Sequence, residues 1–566
     1  MFSKGDHMHK RLWLSFAVAA IGVGLLIAAT ATAAPTKASA PAKASASGGT
    51  LVVEENTDID YSDPSLSYYV PAWQLMYLTQ CRLMYNPDAE APKGSTVVPE
   101  VAAGLPVVSK DGKTYTFTIR KGYKFSTGEA VTAKSFVAAF NRVASKAMAS
   151  QTAPFIDGTL GAGIVGVTDV ENGTAQTISG LKAKGNKLTI HLTKPAPDLL
   201  SRLSLVPFGA IDSKLAANRD PKGVNTFAGC GPYYFADRTP NKTITLKRNP
   251  FYKGPRPHGP SQIQVIVGNT LDVMYQNAVN GSTDFPDGIP AANWAGILNK
   301  YGKNNKSGRL YTRPELEVDY VALNHDPGRL FHNNTALAKA VNYSIDRHAF
   351  LVQRGALAGR TSDQILPPGM LGYKKINPYP AHVTGATLQK AKQLAQGHTG
   401  NGKVTEWCST SSLARNQCAV VQYDLSQLGL NVEPRFLPRA QQFGDAKIRD
   451  HANYDVDLEA WGADYADPAD FINVLLDGSV LGPSGNNNYA YYNNAKYNSQ
   501  MHKAVLLVGQ KRGGAYQALD KAITTNDPPW ASMLNRTNRF FLGSHYGCFV
   551  YQPAQQIVDF GAACKK

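Results

Sequence analysis

The chain has 566 residues, more than one ordinary domain holds, so two or three lobes are expected. With 43% hydrophobic and 18% charged residues, its composition is globular and excludes a fibrous or low-complexity chain. The formal charge is +16, but the basic residues are spread singly; that argues against nucleic-acid binding and favours attraction to anionic cell-surface polymers or an anionic bilayer.

The first elements concern export. "MFSKGDHMHKR" is a charged n-region, "LWLSFAVAAIGVGLLIAA" an apolar h-region, and "TATAAP" supplies small residues for cleavage at Ala33 or Ala34. This pattern predicts a signal peptide over 1–33, with an uncleaved membrane anchor as the alternative. No cysteine precedes Cys81, so the usual lipid attachment is not expected. Residues 34–48 form an Ala/Ser/Pro/Lys linker that cannot bury a core. Five Lys/Arg and one Asp lie in residues 1–48, which leaves +12 on the remainder.

From Gly49 onward, strand and helix signals alternate. Leu51–Val53 reads as an opening strand, followed by a loop ending in Asp63-Pro64 and a helical stretch, "AWQLMYLTQCRLMY". "DGKTYTFTIRKGYKF" reads as a hairpin turning at Asp111-Gly112, with Tyr115, Phe117 and Ile119 on one face and Thr114, Thr116 and Thr118 on the other. A helix capped by Thr132 then carries Phe136, Phe140 and Val143 on its apolar side, and "NKLTIHLTKPAP" is a further strand. Short strands follow in "GCGPYYF", "KTITLKRNPFY" and "SQIQVIVG", then a helix stopped at Gly281 and another in "TALAKAVNYSIDRHAF". In that second helix Asp346-Arg347 is expected to form a structural ion pair. The segment from Lys403 to Leu437 reads strand, helix, strand.

"WGADYADPADF" (461–471) follows an alternating stretch, "YDVDLEAW", that predicts a buried strand. Asp467 before Pro468 is expected to cap the next helix, and Asp470 to face the positive end of its macrodipole. Asp464 has no such local role: a carboxylate at a strand end in an aromatic setting is placed to meet a cation. Among the six cysteines, export makes disulfides expected, and Cys408 with Cys418 is the pair the spacing favours. Without CxxC or Cys/His spacing, no metal site is expected. The chain has no G-x-S-x-G, H-E-x-x-H or P-loop, so it is not read as an enzyme and no cofactor is called for.

These segments, in this order, resemble the extracytoplasmic solute-binding proteins of ABC importers, specifically the oligopeptide/dipeptide/nickel class (solute-binding protein family 5). The blocks that carry the resemblance are "SKDGKTYTFTIRKGYKFSTGEAVTAKSFVAAFNRV", with Ser135 where an aspartate is usual, and "GCGPYYF…LKRNPFY", with Cys230 in place of a threonine. "VNGSTDF", "AKAVNYSIDRHAF", "LPPGMLGY" and "WGADYADP" match as well. The resemblance implies an α/β fold: a two-lobed periplasmic-binding-protein clamshell (type II-like) with an extra third domain. It places lobe I at 49–80, 203–309 and 537–566, the extra domain at 81–202, and lobe II at 310–536. It also implies that a peptide or other small solute is captured between closing lobes and passed to ABC transporter permease subunits by a monomer. A nickel chelate or an oligosaccharide as ligand, or a sensing clamshell without transport, are the alternatives. In such pockets the aspartate of W-x-x-D-Y-x-x-P pairs with a ligand ammonium, which here is Asp464. Asp58, on the loop ahead of "IDYSDP", matches the second acid, while Asp63 stays structural. Trp461 and Tyr465 are candidate apolar walls, or core.

Overall fold

The computed structural model describes residues 48–566 apart from 160, 216, 221–226, 303–306 and 484–486. The predicted signal peptide and the linker up to residue 47 lie outside the described residues. Three sheets organise the rest. The first has five strands in the order Phe285–Pro286, Thr50–Glu55, Gln262–Val267, Thr243–Arg248, Tyr233–Thr239. Thr50–Glu55 pairs in parallel with both of its neighbours, and the remaining pairs are antiparallel. Period-two alternation buries Leu51, Val53, Ile263 and Val265 on one face. Leu542, Tyr546 and Phe560 from the chain's end join the same apolar cluster, so widely separated stretches of chain share one core.

The second sheet is antiparallel, in the order Val107–Val108, Thr114–Thr118, Lys187–His191, Leu181–Lys184. Gly112, at φ +70°, makes the turn before Thr114–Thr118 in a backbone region that glycine enters without strain. Phe117, Leu188 and Ile190 pack with Phe136, Phe140 and Val143 of the helix Ala133–Ala144. Thr132 and Ser135 form a capping box at that helix, with Ser135 Oγ accepting from the Thr132 N–H at 3.2 Å.

The third sheet runs Leu310–Pro314, Trp530–Phe541, Glu317–Leu323, Val456–Gly462, Lys403–Ser409, Asn431–Leu437. The predicted strand–helix–strand unit is present: Lys403–Ser409 and Asn431–Leu437 are parallel, joined by the helix Ser412–Ser426. A disulfide between Cys408 and Cys418 ties that strand to that helix. Two further disulfides join Cys81 to Cys230 and Cys548 to Cys564. The twelve-residue strand Trp530–Phe541 pairs with Glu317–Leu323 at its start and with Leu310–Pro314 at its end, where Phe541 reaches the cluster of Ala278, Trp294 and Ile297.

Two local expectations are corrected. The helix expected over residues 72–85 stops at Thr79; Cys81 is held by Cys230, and Met84–Tyr85 pairs with Val98–Pro99 instead. The helix expected over 335–350 is broken in two, Thr335–Ser344 and Arg347–Val352. Asp346 caps the second by accepting from the Ala349 N–H at 2.8 Å. Arg347 does not form the expected ion pair with it; its guanidinium donates to the carbonyls of Asn342, Ser362, Pro380 and Ser532.

Candidate functional site

The strand Val456–Gly462 lies in the third sheet next to Glu317–Leu323, and its end opens the 461–471 segment. Its buried face carries acids: Asp457 accepts from Gln442 at 2.7 Å, and Glu459 pairs with Arg439 at 2.7 Å. Burial, then the charge of Glu459, pushes the Asp457 carboxyl well up. The chain leaves the sheet as the Ala463 N–H donates to the Leu316 carbonyl at 2.8 Å.

The three aspartates then separate into three roles. Asp467 Oδ1 accepts from the Ala469 N–H at 2.9 Å just ahead of the helix Ala469–Leu476, whose N-cap is Pro468 rather than the expected Asp467. The same carboxylate is buried against Arg512, accepting from Nη2 at 2.6 Å and Nε at 3.0 Å. Asp470 is fully buried and turns back over the segment: its Oδ2 accepts from Trp461 Nε1 at 3.2 Å and from the Asp464 N–H at 3.0 Å. It fixes both the indole and the backbone from which Asp464 projects, a role beyond the expected macrodipole contact.

Asp464 faces outward from this frame, and its Oδ1 accepts from the Tyr68 hydroxyl at 2.6 Å across 396 residues of sequence. Tyr68 lies on the loop just before the helix Val70–Thr79 and is itself held in place. Its N–H donates to Asp60 Oδ2 at 2.8 Å, and its ring meets Trp73 edge-on at 5.7 Å. Asp60 Oδ1 also accepts from Ser67 Oγ at 2.8 Å. Burial pushes the Asp464 carboxyl up to about 6, opposed by the Tyr68 hydrogen bond and the charge of Lys447. Lys447 is shifted down by burial, against the pull of Asp464 and Glu459. Desolvation, then the Asp464 charge, raises the Tyr68 phenol, which keeps it a donor. The contact therefore holds a half-buried carboxylate with a neutral donor on one oxygen.

The other predicted site residues lie elsewhere. Trp461 is buried in an apolar cluster with Tyr320, Trp407 and Trp530. Tyr465 is buried as well, edge-on to Phe155 with its hydroxyl donating to Asp198 Oδ2 at 3.3 Å, so it ties the 461–471 segment to the 81–202 stretch. It also borders a cavity of about 660 Å³ that has Lys194, Val474 and Leu506 on its walls. The Asp58 carboxylate is taken up by Arg238 at 3.3 Å and the Asn241 N–H at 2.8 Å. Tyr68, Asp60 and Lys447 escaped the sequence reading. The doublet Tyr68-Tyr69, with both rings more than a third exposed just before a helix, is the signal that could have pointed to the first of them. Among the described residues one group of metal-type ligands converges, Glu406 with Cys408 and Cys418, and its two sulfurs are bonded to each other.

Residues 96–482 match the family of bacterial extracellular solute-binding proteins, family 5. The chain belongs to this family. Similar curated members include the heme-binding protein A of Haemophilus influenzae, 25% identical over 484 residues (80% of this chain, 82% of that one). Another is a probable D,D-dipeptide-binding periplasmic protein of Escherichia coli, 24% identical over 538 residues (90% and 92%). Among solved structures, the clavulanic acid biosynthesis oligopeptide binding protein 2 superposes with a TM-score of 0.79 at 20% identity, covering 92% of this chain and 96% of that one. The family 5 solute-binding protein thus has the α/β two-lobed clamshell with its additional domain.

Proposed function

We propose that this family 5 protein captures a peptide between its lobes, anchoring the ligand's α-ammonium on Asp464, and hands it to an ABC transporter permease. The observation that carries this reading is the Asp464–Tyr68 contact. A half-buried carboxylate, pre-oriented by Asp470 and bonded to a neutral hydroxyl, sits where this reading has the two lobes meet. An arriving ammonium supplies the full positive charge that the phenol lacks, and closure around it excludes water, which strengthens a charge-assisted bond. The names of the relatives agree, since they include dipeptide- and oligopeptide-binding proteins.

On this reading the protein works as an exported monomer at the cell surface, in the periplasm or outside the cell, whether its N-terminal segment is cleaved or kept as an anchor. Asp464 is the ligand contact, Tyr68 its partner from the facing lobe, and Trp461 supports the strand end from within the core. The test is mass spectrometry of small molecules released from the gently denatured protein, followed by titration with the peptides found. Recovery of amine-bearing peptides that raise the melting temperature supports the reading. Recovery of a sugar or a metal chelate instead overturns it.

A further inference from the structure

The outward face of the four-stranded sheet plays no part in the Asp464–Tyr68 contact. Its inner face is closed by the helix Ala133–Ala144, and the register Thr118↔Lys187, Thr116↔Thr189, Lys184↔Lys187 and Lys182↔Thr189 fixes what points the other way. Alternation places the threonines of Thr114–Thr118 together with Thr189 at the centre of that face, and Lys182, Lys184 and Lys187 toward one edge. All three lysines are exposed, and among the described residues none of them forms an ion pair. The four strands contain no Asp or Glu. The acid in their turns, Asp111, lies beside the Thr114 end, away from the Lys184–Lys187 turn, and already accepts from Ser109 Oγ and the Lys113 N–H.

Lys184 and Lys187 are directly opposed across the hairpin, an arrangement that repels, and Lys182 is two residues from Lys184 on the same face. Directly opposed residues stand about 5 Å apart and i, i+2 neighbours roughly 7 Å, so one flexible chain of anions reaches all three. The threonine hydroxyls beside them donate and accept hydrogen bonds but cannot enter hydrocarbon. The exposed apolar residue on the face, Val107, sits on the opposite edge strand from the lysines. That separation favours a hydrated polyanion over a bilayer.

We propose that this face binds a linear phosphate-bearing polymer of the cell envelope, with phosphates on Lys182, Lys184 and Lys187 and hydroxyl contacts from the threonines. The positive charge of the whole chain steers such a polymer toward the protein. The binding is independent of the solute cleft, so a protein without a peptide ligand still shows it.

The test is titration of the full chain with long-chain inorganic polyphosphate, followed by calorimetry from about 50 to about 200 mM salt. Binding is expected to weaken steeply with salt. The triple variant Lys182→Gln/Lys184→Gln/Lys187→Gln is expected to lose about ten-fold or more in affinity, with a log–log salt slope shallower by about 2, as for three contacts to a flexible polyanion. Its melting temperature should hold or rise, because the opposed charges are gone. A control triple in the second lobe, Lys374→Gln/Lys375→Gln/Lys403→Gln, should bind as wild type does. Equal affinity and slope in the two triples overturns the proposal. So does binding to anionic phospholipid vesicles that depends on the three lysines without any binding of polyphosphate, which assigns the face to a membrane.

Discussion

Replacing Asp464 by Asn tests the ammonium anchor through its pH dependence as well as its strength. Burial holds this carboxyl near 6 in the folded, ligand-free protein, against about 3.9 for an aspartate in an unfolded chain. The folded value is raised, so the group favours folding below about pH 4, and that contribution is lost as pH rises through about 6. At neutral pH the uncompensated carboxylate therefore costs up to about 3 kcal/mol, and less where water reaches it. A bound ammonium reverses the sign by stabilising the charged form. Ligand binding at low pH must then expel a proton, and affinity for a peptide should fall about ten-fold (~1.4 kcal/mol) from about pH 7.5 to about pH 5. Asp464→Asn keeps the shape, removes the charge and should cost about 2–5 kcal/mol of binding at neutral pH. Its residual affinity should be flat across the same range. N-acetylated peptide should bind wild type weakly and the variant little worse, because one interaction cannot be removed twice. Isothermal titration calorimetry in buffers of different ionisation enthalpy reads affinity and proton release together. A wild-type affinity flat through pH 6, or an Asn variant that binds free and acetylated peptide as wild type does, refutes the anchor.

Two other substitutions probe the frame around this residue, and a third probes a disulfide of the third sheet. Asp467→Asn keeps an acceptor for the Ala469 N–H but leaves Arg512 buried without its charged partner, so denaturant unfolding should show a loss of about 3–5 kcal/mol. Tyr68→Phe removes the hydroxyl bonded to Asp464; if that bond latches the proposed lobes, the ligand-free protein should scatter with a larger radius of gyration while the peptide-bound form is unchanged. An unchanged ligand-free radius would rule out a latching role for this contact. Cys408→Ser/Cys418→Ser opens a short loop and should lower stability by roughly 2–3 kcal/mol; peptide mapping that finds both native thiols alkylatable without reductant would contradict the pairing.

Features set by near neighbours in the chain were legible from the amino-acid order. Asp467 before Pro468 announces a helix start, alternation in "TYTFT" separates an inner from an outer face, and Cys408 and Cys418 lie ten positions apart on adjacent elements. Motif blocks in order also conveyed the clamshell family, and the local pattern of residues 461–471 left Asp464 as the acid without a local role. Tertiary structure alone decided what each charge meets. The Arg512 partner of Asp467 is 45 residues away, and the Tyr68 partner of Asp464 is 396 away. Asp58 matched a pattern, yet its loop folds back onto Arg238. Asp346 and Arg347 are adjacent in sequence, yet one caps a helix and the other satisfies carbonyls from separate segments. The physical reason is the same in each case. Helix caps and strand faces follow from backbone geometry within a few residues, whereas a buried charge is satisfied by whichever distant groups the packed sheets bring within hydrogen-bond reach.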